Sequence, residues 1–159
     1  MATTFPAKIE STMLDYQGEI NDGKVWESVP TREINIIRTD QDWGIKLEWV
    51  MSGLDALMSV DEWHVSLFLE STGSGPEYDL PSGGPIVVLN QDPVVSTFDP
   101  VTGERTFKLT ITIDHTVDPI APGTYWLTST LQYYFVGTNN PWPCAGFFEG
   151  PMLQFYKPI

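Results

Sequence analysis

Cysteine and histidine are scarce in this chain, and the shortage excludes several kinds of chemistry. Cys144 is the one cysteine, so the chain holds no internal disulfide bond. The chain has only two histidines, His64 and His115, so it has too few ligands of the kind that zinc prefers. We predict that Cys144 packs as a small apolar residue rather than acting as a nucleophile. A chain of 159 residues buries enough surface to fold without a metal or a disulfide.

Basic residues are also few. Eight lysines and arginines stand against 21 acidic residues, which gives a net charge of −13. From Leu47 to Glu104 there is no lysine or arginine. Nucleic acids and anionic membranes are bound mainly through such residues, so we expect neither as a partner. The acidity favours solubility, and the alternative is attraction of a cation or a basic partner.

Long apolar runs and catalytic motifs are both missing. No apolar run approaches the ~20 residues that span a bilayer, and residues 1–10 lack the apolar core of a signal peptide. We therefore expect a cytoplasmic chain as encoded. The sequence has no GxSxG, HExxH, P-loop or GxGxxG motif. Neighbouring carboxylates such as Asp61 and Glu62 point to opposite faces of a strand. We predict that the chain is not an enzyme and needs no cofactor, and a hydrolase is the least favoured hypothesis.

What the sequence has in abundance is the alternation of β-strands. Apolar and polar residues alternate over Gly44–Ser52, Ser59–Leu69, Thr106–Asp114 and Thr124–Val136, and no window shows sustained helical spacing. Short strands with short connections favour an antiparallel two-sheet sandwich of about seven to nine strands. We predict one domain: residues 1–30 form an arm with a first strand at Lys8–Leu14, and residues 31–159 form the sandwich.

One segment resembles a known family of sandwiches. The residues from Asp118 to Leu127, DPIAPGTYWL, are similar to the start of the sixth strand in immunoglobulin-like and fibronectin type III-like domains. The resemblance implies that the Tyr125 hydroxyl bonds back to the preceding corner. It also implies that Leu127 replaces a disulfide cysteine and that Trp49 or Trp63 is the core tryptophan. This architecture has many functions, so the resemblance predicts a fold rather than an activity.

Two aromatic surfaces are candidates for binding a partner. The segment Gly137–Gly150, GTNNPWPCAGFFEG, is predicted to be a rigid loop that presents Trp142, Phe147 and Phe148. The alternative is that these rings close the end of the sandwich. On the outer face of the long strand, Trp126 and Tyr134 flank polar residues, as in flat faces that bind sugars or proteins. Their alternative role is pairing with Phe68 or Tyr156.

These observations predict a non-catalytic protein-interaction or assembly module, with self-association included. The alternative is a carbohydrate-binding module assisted by calcium. Calcium prefers oxygen ligands from converging loops. The candidates are Asp40 and Asp42 in a turn, with Asp92, Asp99, Asp114 and Asp118 near other loop ends. Aspartates also occupy turns for local hydrogen-bonding reasons alone.

Overall fold

The computed structural model describes residues 6–159, which fold into β-strands and one short helix. The helix α1 is Leu54–Met58. In the described residues the strands are β1 (Ala7–Ser11), β2 (Gln17–Glu27), β3 (Ile36–Arg38), β4 (Trp43–Ser52), β5 (Glu62–Ser71), β6 (Tyr78–Leu80), β7 (Ile86–Leu89), β8 (Ser96–Asp99), β9 (Glu104–Ile113), β10 (Gly123–Tyr134) and β11 (Pro141–Tyr156).

Hydrogen bonds join these strands into one curled sheet. Its order is β6-β5-β10-β11-β1-β2-β4-β9-β8, β7 also pairs with β5, and β3 pairs with β11. All pairs are antiparallel except that of β3 with β11. Four strands separate β4 from β5, yet the rings of Trp49 and Trp63 lie 5.8 Å apart. The sheet therefore curls until its two halves face each other across the core, as the natural twist of strands allows.

The predicted all-β antiparallel fold is confirmed at this level. The described residues contain eleven strands rather than seven to nine, and they are connected in a single sheet. Alternation in the sequence indicates which side chains face the core. It does not indicate whether the strands on opposite sides of the core belong to one continuous sheet or to two. The finer class, an immunoglobulin-like sandwich of two sheets, stays a prediction.

The core is a cluster of aromatic rings between the facing halves of the sheet. Trp49 stacks on Phe107 with centroids 4.8 Å apart, and Trp63 meets both rings edge-on. Tyr16 and Tyr133 pack against Trp63. All five side chains are buried. The alternating apolar residues of β4, β5 and β9 are buried in this core, as the alternation in the sequence indicates.

Residues 7–27, which lie in the predicted arm, form two interior strands. β1 replaces the predicted first strand Lys8–Leu14, and β2 lies between β1 and β4. Only Ile20, Val25 and Trp26 of β2 are buried hydrophobics, and a register shift follows Ile20. A bulge breaks the two-residue period, so alternation did not reveal β2.

The hydroxyl contact implied for Tyr125 is present. Tyr125 Oη donates to the Ala121 carbonyl at 2.6 Å, and the Ala121 amide donates to the Tyr78 hydroxyl at 3.0 Å. These bonds tie the corner before β10 to β10 and to β6. The wider family resemblance stays a prediction.

The predicted loop Gly137–Gly150 is wrong for residues 141–150, because they form the first part of β11. Its glycines are explained by close packing. A Cβ on Gly146 would lie 2.9 Å from the Ile9 side chain, and a Cβ on Gly150 would lie 2.9 Å from Leu127. Prolines stand at the start of the strand, and Pro151 lies near a register shift between β10 and β11. Both are places where a sheet tolerates proline.

Candidate functional site

A groove runs along the outer face of the sheet over β1, β10 and β11. We call it the outer groove. Its volume is about 560 Å³. Its lining includes Glu10, Thr130, Gln132, Trp142, Ala145 and Phe147.

The groove follows from the register of β10 and β11. Thr130 lies opposite Phe147, and Gln132 lies opposite Ala145. Ala145 has a small side chain, so the floor is low between Phe147 and Pro143. These two residues are four positions apart on one strand, which corresponds to about 13 Å. The depression is therefore long enough for a short extended ligand.

Trp142 lines the outer groove, packs partly against the core, and has a fixed orientation. Its indole Nε1 donates to Asp61 Oδ2 at 2.9 Å, and its ring packs on Phe135 with centroids 4.0 Å apart. Gln132 Nε2 donates to the carbonyls of Trp142 at 2.8 Å and Cys144 at 3.1 Å. These bonds hold the backbone and the ring in place before any ligand arrives.

Phe147 and Phe148, predicted as a pair of anchors, face opposite ways. Phe147 is 59% exposed and lines the outer groove, whereas Phe148 is 2% exposed and lies in the core. Successive side chains on a strand point to opposite faces, so a strand separates the two rings that a loop could have presented together. The structure thus places Trp142 and Phe147 along one groove, five positions apart on β11, and removes Phe148 from the surface.

Trp126 and Tyr134 lie outside the outer groove, near the two ends of β10. Eight positions separate them, which corresponds to about 26 Å. Tyr134 stacks on His64, with centroids 3.8 Å apart and planes 17° apart. Its ring partner is therefore His64, and Phe68 lies opposite Thr128 instead. The two rings do not form one joint platform.

The lining of the outer groove carries little charge in a chain of net charge −13. Residues 119–148, which include β10 and the first half of β11, carry no charged side chain. The charged groups that line the groove come from β1, namely Lys8 and Glu10. This uncharged stretch is the sequence signal that pattern analysis missed.

The calcium candidates Asp40 and Asp42 have separate partners. Asp40 pairs with Arg38, with Oδ2 and Nη2 2.9 Å apart. Asp42 Oδ1 accepts from His115 Nδ1 at 2.7 Å and from the His115 amide at 3.1 Å. Within residues 6–159, Asp42, Asp114 and His115 form a group whose ligand atoms lie within 4.8 Å of one another. Calcium requires six to eight oxygens, so two carboxylates and an imidazole fit it poorly.

Cys144 lies beneath the outer groove and faces the interior. Its side chain is 1% exposed. Burial raises the pKa of the thiol to about 11, against the opposing effect of a hydrogen bond with Ser11. The thiol is protonated at neutral pH, which makes it a poor nucleophile.

No protein-family model matches this chain, and no curated protein matches it either. In the part of the chain that the structure describes, no helix has the length and apolar character needed to cross a bilayer.

Proposed function

We propose that this chain is a non-catalytic protein-interaction or assembly module. It binds a segment of another protein chain, a second copy included, in the outer groove. The observation that carries the proposal is the exposed ring of Phe147 in a groove of little charge, which the fixed residue Trp142 also lines. A few large side chains supply most of the binding energy at protein interfaces.

The outer groove is preformed, which favours binding. Its side chains stand on paired strands, and Trp142 and Gln132 are already held by hydrogen bonds. A site that needs little ordering loses less conformational entropy when its partner arrives. Thr128 and Thr130 add hydroxyl groups that can bond to a partner's backbone.

We extend the proposal to the fold class and the cellular location of the chain. The contact of Tyr125 with Ala121 supports an immunoglobulin-like class, in which facing walls act as two sheets. A single buried cysteine supports a reducing, cytoplasmic location. The acidic surface supports a partner that is neither nucleic acid nor membrane.

Site-specific photo-crosslinking in cells that make the protein tests the proposal. A photoreactive phenylalanine analogue replaces Phe147, and the matched control carries it at Tyr156, which is 39% exposed and lies outside the outer groove. We expect position 147 to form a covalent adduct with one defined protein or with a second copy. Lack of an adduct at 147, or the same adducts from 156, would refute the proposal.

Carbohydrate binding is the second candidate. Its specific support is the Phe147 ring, which lies across from Thr130 in a groove with little charge. An aromatic face suits the apolar face of a sugar ring, and hydroxyls suit its edge. A glycan array with the Phe147→Ser variant, with and without calcium, tests it. Signals that vanish in this variant and persist in Tyr156→Ser favour a glycan, and an array without signals removes this candidate.

A further inference from the structure

Exposed apolar side chains gather at the end of the sheet beside Trp142. The residues are Leu14 from the β1–β2 connection, Leu54, Leu57 and Met58 from α1, and Val60 after it; we call them the apolar platform. Met58 and Val60 are each 63% exposed. Leu14, Met58 and Val60 line a depression of about 560 Å³ together with Met13 and Trp142. Single exposed apolar residues are ordinary, whereas three of them around one depression, with Leu54 and Leu57 on the same short helix as Met58, are typical of an interaction site.

The apolar platform is fixed from the side by Asp15. The Asp15 carboxylate accepts from the Leu54 amide at 2.8 Å, and the Asp15 carbonyl accepts from the Asp55 amide at 3.2 Å. Gly53, with a φ of +104°, allows this approach, since a Cβ there would lie 2.3 Å from the Asp15 carbonyl oxygen. The connection that carries Leu14 and the start of α1 are therefore one unit.

Arg105 fixes the platform from below. Its guanidinium is buried and donates to the Ala56 carbonyl, to Ser96 Oγ at 2.7 Å and to the Leu57 carbonyl at 3.4 Å. The carbonyls at the end of α1 are thus held by a charged donor. The exposed side chains stand on a rigid base, which is the condition for a preorganised interface.

The rim of the depression is acidic. Asp15 is exposed beside Leu14, and Asp55 and Asp61 line the depression. Residues 47–104 hold no lysine or arginine, and the cation that follows, Arg105, is buried beneath α1. An apolar centre with an acidic rim is complementary to a segment that carries both apolar and basic side chains.

The depression continues into the outer groove. Thr12, Trp142 and Pro143 line both. We propose that the partner is an extended protein segment in which lysine or arginine stands next to one or two large apolar residues. Its apolar side chain fills the depression against Met58 and Val60, and its chain passes over Trp142 into the outer groove. Flexible methionines adapt to such side chains. The inference rests on the proposed function and names the partner's chemistry.

Selection from a random-peptide display library on the intact chain provides the first test. We expect enriched peptides to combine lysine or arginine with leucine, methionine, phenylalanine or tryptophan. A labelled enriched peptide is then titrated by fluorescence anisotropy against the wild type and the double variant Met58→Ser/Val60→Ser. We expect the affinity to fall by about tenfold or more in the double variant. The control Val101→Ser changes a residue that is 92% exposed and lines neither the depression nor the outer groove, and it should bind as the wild type does.

The outcomes separate this inference from the proposed function. Lack of enrichment, enriched peptides without basic residues, or full binding by Met58→Ser/Val60→Ser overturns the inference. Loss of binding in Phe147→Ser alone supports the outer groove as the binding site and excludes the apolar platform from it. Loss in the double variant but not in Phe147→Ser supports the platform and counts against the groove. Asp55→Asn should weaken binding and lessen its dependence on salt, because one rim charge is removed.

Discussion

Replacing Tyr125 with phenylalanine removes the hydroxyl that bonds to the corner before β10 and keeps the aromatic ring in place. The hydroxyl donates to the Ala121 carbonyl at 2.6 Å, while the ring is 1% exposed. A hydrogen bond of this kind contributes about 1 kcal/mol to the free energy of unfolding. For a chain of this size we expect the melting temperature to fall by about 2–4 °C at neutral pH.

The same substitution should become favourable in alkali. Burial, with a further contribution from Tyr78, raises the pKa of Tyr125 to about 12. Because this lies above the unfolded value of about 10, the stabilisation is complete below pH 10 and is lost as the pH rises through 12. At about pH 11 the wild type has lost about 1 kcal/mol through this group. Phenylalanine cannot ionise, so the two free energies of unfolding should cross at about pH 11.

Urea unfolding followed by tryptophan fluorescence, repeated between neutral pH and about pH 11, measures both effects. Tyr156→Phe is the control, because Tyr156 is 39% exposed. It should match the wild type at neutral pH. Equal stability of Tyr125→Phe and the wild type at neutral pH would contradict the hydrogen-bond argument. A difference that widens as the pH rises would contradict the argument from the pKa.

Three other predictions address the site and its support. Phe148→Ala should lower the free energy of unfolding by about 3–5 kcal/mol, because the Phe148 ring is buried. Phe147→Ala should leave it nearly unchanged, because the Phe147 ring is exposed. Equal effects of the two substitutions in urea unfolding would contradict the assigned faces of β11. Cys144 should react with iodoacetamide far more slowly in the native chain than in urea, because a pKa of about 11 leaves about one thousandth of the thiol ionised at pH 8. Similar reaction rates in the native and the urea-unfolded chain, measured by mass spectrometry, would refute the burial of the thiol. Arg105→Met should lower the free energy of unfolding by about 1–3 kcal/mol, because the buried Ala56 carbonyl loses its donor; unchanged stability in urea would show that the guanidinium does not hold α1.

The candidate site was predicted from the sequence in part. Aromatic content pointed to Trp142 and Phe147, and both line the outer groove. Phe148 was included because the prolines and glycines around it are typical of a loop. In the structure those glycines meet Ile9 and Leu127, which are far away in the sequence. The apolar platform was missed because α1 and the connection after β1 meet only through long-range bonds such as that of Asp15 with Leu54.

The sequence by itself determined which face of each regular strand is buried, the acidic charge and the lack of disulfides. Alternation is a local property, so Trp49 and Trp63 could be assigned to the core without knowledge of their neighbours. Only the tertiary structure decided the strand order, the length of β11, and the meeting of the outer groove and the apolar platform at Trp142. Strand pairing joins residues distant in the chain, and it is selected by the packing of the whole sheet rather than by any one segment.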